Sequence, residues 1–257
     1  MSSEARSWMD AAETVARVAG EVALRHYHRG VTVETKSDGT PVSVADRQAE
    51  EAARAWLERH CPEDGILGEE LGTTRPDARR RWILDPIDGT KTFVRRVPLW
   101  GTLVALAEGE KVLAGAAYFP AVDELVVAAN GAGCLWNGRK ARVSGVSRLS
   151  EAVVLTTEER MGTPAQVQAL DGLCTRAGLV RTWGDCYGYL LVATGRAEVM
   201  ADALMAPWDA AALQPIIEEA GGVFTDWSSR RTAFGGNAVA SNAALASEVR
   251  AALGGPR

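Results

Sequence analysis

Histidine is scarce in this chain: there are three, His26, His28 and His60, in 257 residues. The first two alternate at the end of one helical pattern and the third closes the next, so all three read as polar residues at helix ends. A Ser-His-Asp or Cys-His hydrolase needs an imidazole beside its nucleophile, and none of the three stands in such a setting. Cysteine offers no more. The four, Cys61, Cys134, Cys174 and Cys186, form no CxxC pair and no zinc spacing, which points to a reduced, cytoplasmic protein. No stretch approaches the roughly 20 apolar residues that cross a bilayer. Residues 1–21 lack the apolar centre of a signal peptide and carry Glu4, Asp10 and Glu13. A basic track is missing as well. The net charge is −5, and the densest basic cluster, Arg79-Arg80-Arg81, reads as a solvated turn before a strand. These absences argue against membrane and nucleic acid as partners.

What is present is ordinary globular composition. Apolar residues make up 47% and charged residues 24%, enough for one large core or two tightly joined ones. Helical periodicity covers 4–28, with Gly30 as its punctuation, and 43–60, with Ser43 as a plausible N-cap. Strand patterns cover 31–35, 66–69, 82–85, 99–107, 112–118 and 124–129, with turns at Glu108-Gly109-Glu110 and Asn137-Gly138. From about residue 150 shorter strands (153–156, 179–182, 197–201, 222–225, 237–240) alternate with helices (164–177, 186–194, 209–220, 243–253). The expectation is an α/β chain with an N-terminal half, 1–150, and a C-terminal half, 151–257, joined at a soft boundary without a linker.

The most informative segment runs from Trp82 to Thr90. Asp85 ends an apolar strand, and Pro86, lacking an N–H, is expected to stop the ladder there. Asp88 follows within one turn, and Gly89 permits a sharp bend. Two carboxylates so close repel each other unless a cation lies between them, and Mg²⁺ takes oxygen ligands of this kind. The plainer reading is an Asx-turn in which Asp88 caps Thr90 or Lys91. Two more acidic elements follow the same logic: Glu69-Glu70, at the end of a strand after Gly68, and Asp209, at the start of the helix 209–220, where a carboxylate is also a good N-cap.

In order along the chain, these segments resemble the inositol monophosphatase superfamily. Gly68-Glu69-Glu70 resembles its G-E-E strand end. Asp85-Pro86-Ile87-Asp88-Gly89-Thr90 is its D-P-I-D-G-T signature. Trp208-Asp209-Ala210-Ala211-Ala212 with Glu219-Ala220-Gly221-Gly222 is its W-D-x-A-A…E-A-G-G signature, and Lys36 to Asp46 around Pro41-Val42-Ser43 resembles its early segment. The resemblance implies a five-layer αβαβα sandwich and a Mg²⁺-dependent phosphate monoester hydrolase that works as a homodimer. It implies that Glu69, Asp85 and the Ile87 carbonyl hold one Mg²⁺, that Asp85, Asp88 and Asp209 hold a second, and that Glu69, with waters near Asp46, holds a third, weaker ion. Thr90 and Asp46 would orient the attacking water, and the N–H groups of Gly89 and Thr90 would receive phosphate oxygens. No side-chain nucleophile is needed, which agrees with the shortage of histidine.

Within that superfamily the local sequence is similar to the histidinol-phosphatase branch. Thr90-Lys91-Thr92-Phe93-Val94, Gly101-Thr102-Leu103-Val104-Ala105-Leu106, Gly184-Asp185-Cys186-Tyr187-Gly188-Tyr189 and Asp226-Trp227 carry the likeness. It implies L-histidinol phosphate as substrate, in histidine biosynthesis, with Asp185 and Asp202 touching its organic part. Asp185 also reads as an N-cap of the helix 186–194, and Tyr187 and Tyr189 as helix packing. The alternative substrates are inositol 1-phosphate and a broad set of sugar phosphates. A catalytically idle relative is disfavoured, because Glu69, Asp85, Asp88, Thr90 and Asp209 are all present.

Overall fold

The computed structural model describes residues 2–29, 33–35 and 41–254. The first element is a long helix, α1 (Ser3–Arg29), whose buried stripe is mostly small: Ala5, Ala12, Val15, Ala16, Ala19 and Ala23 recur at helical spacing. A short hairpin, β1 (Val33–Thr35) with β2 (Pro41–Ser43), leads into α2 (Val44–His60). Lys36 and the expected loop at 37–40 lie outside the described residues.

Next come β3 (Gly65–Gly68), β4 (Gly72–Thr74), β5 (Arg80–Asp88), the short helix α3 (Thr90–Val94), β6 (Gly101–Glu108), β7 (Lys111–Phe119), β8 (Glu124–Ala129), β9 (Gly133–Trp136) and β10 (Arg139–Lys140). These strands form one sheet in the order β10-β9-β8-β7-β6-β5-β3-β4. Only β3 and β5 run parallel; every other pairing is antiparallel.

The second sheet has the order β12-β11-β13-β15-β14. Its chain order is β11 (Val153–Leu155), α4 (Pro164–Cys174), β12 (Leu179–Arg181), α5 (Asp185–Ala193), β13 (Val199–Asp202), α6 (Pro207–Ala210), α7 (Leu213–Glu219), β14 (Gly222–Thr225), β15 (Ala238–Asn242) and α8 (Ala246–Ala252).

Strand alternation explains the layering. On β5, Trp82 and Leu84 face α1 and α2, in a core with Ala12, Ala16, Ala49 and Leu57. Ile83, between them, faces the other way, into a core with Tyr189 and Leu190 of α5, Leu213 and Ile216 of α7, and Met200 and Phe224 of the second sheet. The far side of that sheet, Val154, Val199 and Val239, packs on Leu170 and Leu173 of α4 and Val249 of α8. The result is helices, sheet, helices, sheet, helices: the αβαβα order.

Two local expectations are corrected. Pro86 does not end its strand. Asp85 pairs with Leu103 and Asp88 with Gly101, so β5 carries one residue more than β6 over that interval. This bulge absorbs the missing proline N–H, and the Thr102 hydroxyl donates to the Pro86 carbonyl at 2.8 Å. Likewise the helix expected at 209–220 starts earlier, at Pro207, and is split into α6 and α7. Ala211 and Ala212 keep helical dihedrals, but Pro215 cannot donate to the carbonyl four residues back, so the ladder skips there.

Candidate active site

The bulge of β5 sets the geometry of an acidic cluster. It keeps Asp85 buried, with Ile87 N–H donating to Asp85 Oδ1 at 3.0 Å, and turns Asp88 towards the second sheet. Glu69 extends the β3–β5 pairing by one residue, its N–H donating to the Leu84 carbonyl at 3.2 Å. Asp209 stands in the first turn of α6, where its Oδ2 accepts the Ala206 N–H at 2.7 Å. It reaches back from inside the helix and is not the N-cap. One carboxylate oxygen from each of Asp85, Asp88 and Asp209 lies within 4.8 Å of the others, and Glu69 lines the same cavity. Asp46, in the first turn of α2, is 1% exposed.

The electrostatics follow from this crowding. Burial pushes the Asp85 carboxyl well above the ordinary range, and the charges of Glu69, Asp88, Asp209 and Asp46 push it further. Asp88 is raised by burial and by Asp185 and Asp209, against the lowering effect of the Cys186 N–H. Asp209 is pushed up to about 7, by burial first, with Glu69 adding to it. Such a set holds either protons or a cation. All its donors are hard oxygens, so a hard divalent ion fits it.

The capping alternatives do not hold. Asp88 Oδ2 accepts the N–H of Cys186 at 2.5 Å, not that of Thr90 or Lys91. The N-cap of α5 is Gly184; Asp185 is its first residue, at φ 50°. Asp185 donates its own N–H to Thr157 Oγ1 at 2.8 Å, and its Oδ2 accepts from the Thr92 hydroxyl at 3.4 Å. That carboxylate lies directly over the turn after Asp88, since a Cβ on Gly89 would come within 3.1 Å of Asp185 Oδ2. Thr90 donates its hydroxyl to the Ile87 carbonyl at 3.1 Å.

A cavity of about 350 Å³ opens between these groups. Glu69, Asp85, Ile87, Asp88 and Asp209 form its floor with Gly89 and Thr90. Asp185, Thr157, Glu158, Met161 and Thr182 line the wall from the second sheet. Lys91 bridges the two sides, its Nζ donating to Glu158 Oε1 at 2.5 Å. Asp202 does not line the cavity. Its Oδ1 accepts the Thr157 N–H at 3.0 Å and its Oδ2 accepts from the Tyr189 hydroxyl at 3.1 Å, which places it one layer behind Asp185. Burial pushes its carboxyl up to about 6. Tyr187 packs edge-on against Phe119 and donates to Glu124, away from the cavity. The histidines stay at helix ends, His26 against Gln48 and His60 on the Trp56 carbonyl. Thr157 and Glu158 carried no motif, although both follow the carboxyl end of the parallel strand β11, where open α/β sheets gather their ligands.

The profile of the inositol monophosphatase family matches residues 4–254. The chain belongs to the inositol monophosphatase family. It is 43% identical over 243 residues to the histidinol-phosphatase of Chlorobaculum parvum, an alignment that covers 93% of this chain and 94% of that one. It is 39% identical over 223 residues to the histidinol-phosphatase of Mycobacterium tuberculosis, covering 84% and 86%. In structure it is similar to the extragenic suppressor protein SuhB of Bartonella henselae, with a TM-score of 0.89 at 31% identity over 96% of this chain and 98% of that one. As a member of this family the chain is a phosphatase, and its acidic cluster is the place where a metal ion fits. Among the described residues no helix is long and apolar enough to cross a membrane.

Proposed function

We propose that this phosphatase hydrolyses L-histidinol phosphate to L-histidinol and phosphate, as a step of histidine biosynthesis, with Mg²⁺ at the acidic cluster. The observation that carries the reading is the carboxylate of Asp185, which faces the cavity beyond that cluster, with Glu158, paired to Lys91, on the same wall. Histidinol phosphate bears an ammonium and an imidazole on its alcohol part, whereas inositol phosphate bears hydroxyls. Carboxylates beside the phosphate site suit the cationic ester, and charge-assisted hydrogen bonds to an ammonium contribute about 1.5–3 kcal/mol each. The names of the two histidinol-phosphatase relatives support the same choice.

Glu69, Asp85 and the Ile87 carbonyl hold one Mg²⁺ on this reading. Asp85, Asp88 and Asp209 hold a second, and Glu69 with Asp46 nearby holds a weaker third. When bound, the ions neutralise the doubly charged ester and favour attack by water. The chain's own groups do the rest. The N–H groups of Gly89 and Thr90 open a helix, where no intrahelical carbonyl can satisfy them, and they receive phosphate oxygens. Glu69, Thr90 and Asp46 orient the attacking water in line with the scissile P–O bond. The Ile87 carbonyl has two lone pairs, so it serves the ion and the Thr90 hydroxyl together. Asp202 fixes Thr157, and through it the backbone of Asp185. The protein acts as a cytoplasmic homodimer. Phosphate release from L-histidinol phosphate, myo-inositol 1-phosphate and a sugar phosphate, with and without EDTA, tests the reading. Turnover of histidinol phosphate that survives excess EDTA contradicts the metal, and equal use of all three esters contradicts the substrate.

A further inference from the structure

Helix α2 brings two buried carboxylates to the first sheet, one turn apart on one face. Asp46 is 1% exposed and Glu50 is fully buried. Glu50 has no part in the site described above, yet it is bound to the residues that follow Glu69. Its Oε2 accepts the Glu70 N–H at 2.8 Å, and its Oε1 accepts the Leu71 N–H at 3.2 Å. Its charge is paired with Arg54, whose Nε donates to Oε1 at 2.7 Å. Arg54 in turn grips the far side of the same hairpin, donating to the Gly72 carbonyl at 2.5 Å and to Thr74 Oγ1 at 3.1 Å.

The strands β3 and β4 pair Gly68 with Gly72, so residues 69–71 form a three-residue connection. Glu69 is its first member. The two N–H groups that follow are both accepted by Glu50, and the carbonyl that closes the loop is held by Arg54. The approach is so close that a Cβ on Gly68 would fall within 1.9 Å of Glu50 Oε1. This is the physical reason for glycine ahead of the Glu-Glu pair. A buried ion pair is a weak source of stability, since packed apolar residues of the same volume often serve as well. What the pair supplies here is direction: three hydrogen bonds to the backbone that follows Glu69, and a fourth to the Thr74 hydroxyl on the returning strand. A carboxylate presented from a short loop reaches a metal well only if its backbone is held in this way.

We propose that Glu50, braced by Arg54, is a positioning residue for Glu69, and that it sets the affinity of the acidic cluster for a divalent cation. The proposal rests on reading Glu69 as a cation ligand. It is tested by the Mg²⁺-induced rise in melting temperature of the full chain, beside the Mg²⁺ dependence of phosphate release. Glu50→Gln keeps the volume but replaces one acceptor oxygen with an NH₂ group. Its expected effect is a roughly tenfold or greater increase in the Mg²⁺ concentration giving the half-maximal rise, as for other residues that orient metal ligands. Arg54→Lys keeps the charge but loses the planar fork; it is expected to shift the same midpoint in the same direction, and it decides the matter if Glu50→Gln does not fold. Leu173→Ala, a cavity in the distant core under α4, calibrates plain destabilisation: it is expected to lower the melting temperature and leave the Mg²⁺ midpoint in place. A variant at Glu50 or Arg54 that behaves like Leu173→Ala overturns the proposal. A wild-type chain with no Mg²⁺-induced rise overturns the cation reading of Glu69 itself, a distinct result.

Discussion

Asp88 Oδ2 accepts the backbone N–H of Cys186 at 2.5 Å. The residue that ends β5 in the first sheet thus holds the first turn of α5, and Asp185, next to Cys186, is carried into place above Gly89. One carboxylate couples the acidic floor of the cavity to its opposite wall. The contact spans 98 positions in sequence.

The floor itself is tested by Asp85→Asn and Asp209→Asn. Each removes a negative charge and keeps the shape. Hydrolysis is expected to fall by several orders of magnitude, while the metal-free protein melts no lower, because a buried charge repelled by its neighbours has gone. Circular dichroism melts with EDTA and initial rates with Mg²⁺ check both halves. If Asp209→Asn unfolds the chain and the folded remainder keeps its specific activity, then its bond to the Ala206 N–H was its whole purpose.

A pH dependence follows from the raised carboxyls. Asp202 is pushed up to about 6 and Asp209 to about 7, both from an ordinary 3.8. A carboxyl whose folded-state value lies above its unfolded value binds its proton more tightly in the folded chain, so stability is lost as pH rises through that window. The metal-free protein is therefore expected to melt progressively lower from about pH 4 to pH 8. Mg²⁺ competes with the proton on Asp209, which belongs to the acidic cluster, and not with that on Asp202, so the rise in melting temperature it produces is expected to grow as pH rises to about 8. A metal-induced rise that is the same at pH 5 and pH 8 contradicts this picture.

Gly89→Ala probes the turn between floor and wall. Gly89 has φ 85°, a left-handed conformation that costs an L-residue about 1 kcal/mol, and the new methyl group would meet Asp185 Oδ2 at 3.1 Å. The expected outcome is a small loss of stability with a much larger loss of kcat/KM. Denaturant titration and steady-state kinetics separate the two, and proportionate losses in both argue against a site at this turn.

How far the molecule could be read from its residues depends on the range of the interactions. Helices α1 and α2 and the meander β6–β7–β8 show in the sequence because their signals are periodic and local. The acidic segments 69 and 85–88 show because charge is rare at the end of an apolar strand, and Asp209 shows because it stands in the first turn of a patterned helix right after Trp208. The bulge at Pro86 and the skipped bond at Pro215 were obscured by one fact: a missing N–H can be absorbed by a neighbouring distortion as easily as it can end an element. For Asp88 and Asp185 the sequence also allows local caps beside the ligand and substrate roles, and only the fold shows that their partners are distant in sequence. The place of Asp202 behind the wall depends on Thr157 and Tyr189, which no spacing along the chain connects. Glu158 has no pattern around it and is found only when the cavity is seen.

Substrate choice is the central claim, and Asp185 gives its most direct measurement: kcat/KM for L-histidinol phosphate and for myo-inositol 1-phosphate, on the wild-type enzyme, Asp185→Asn and Asp202→Asn. The wild-type enzyme is expected to favour histidinol phosphate strongly. Asp185→Asn is expected to lose about ten- to a hundredfold on histidinol phosphate, the worth of one charge-assisted bond, and little on the inositol ester. Asp202→Asn, one layer behind the cavity, is expected to weaken both esters alike. Equal kcat/KM for the two esters on the wild-type enzyme would contradict the histidinol assignment, and an equal loss on both in Asp185→Asn would move that residue from substrate recognition to scaffold.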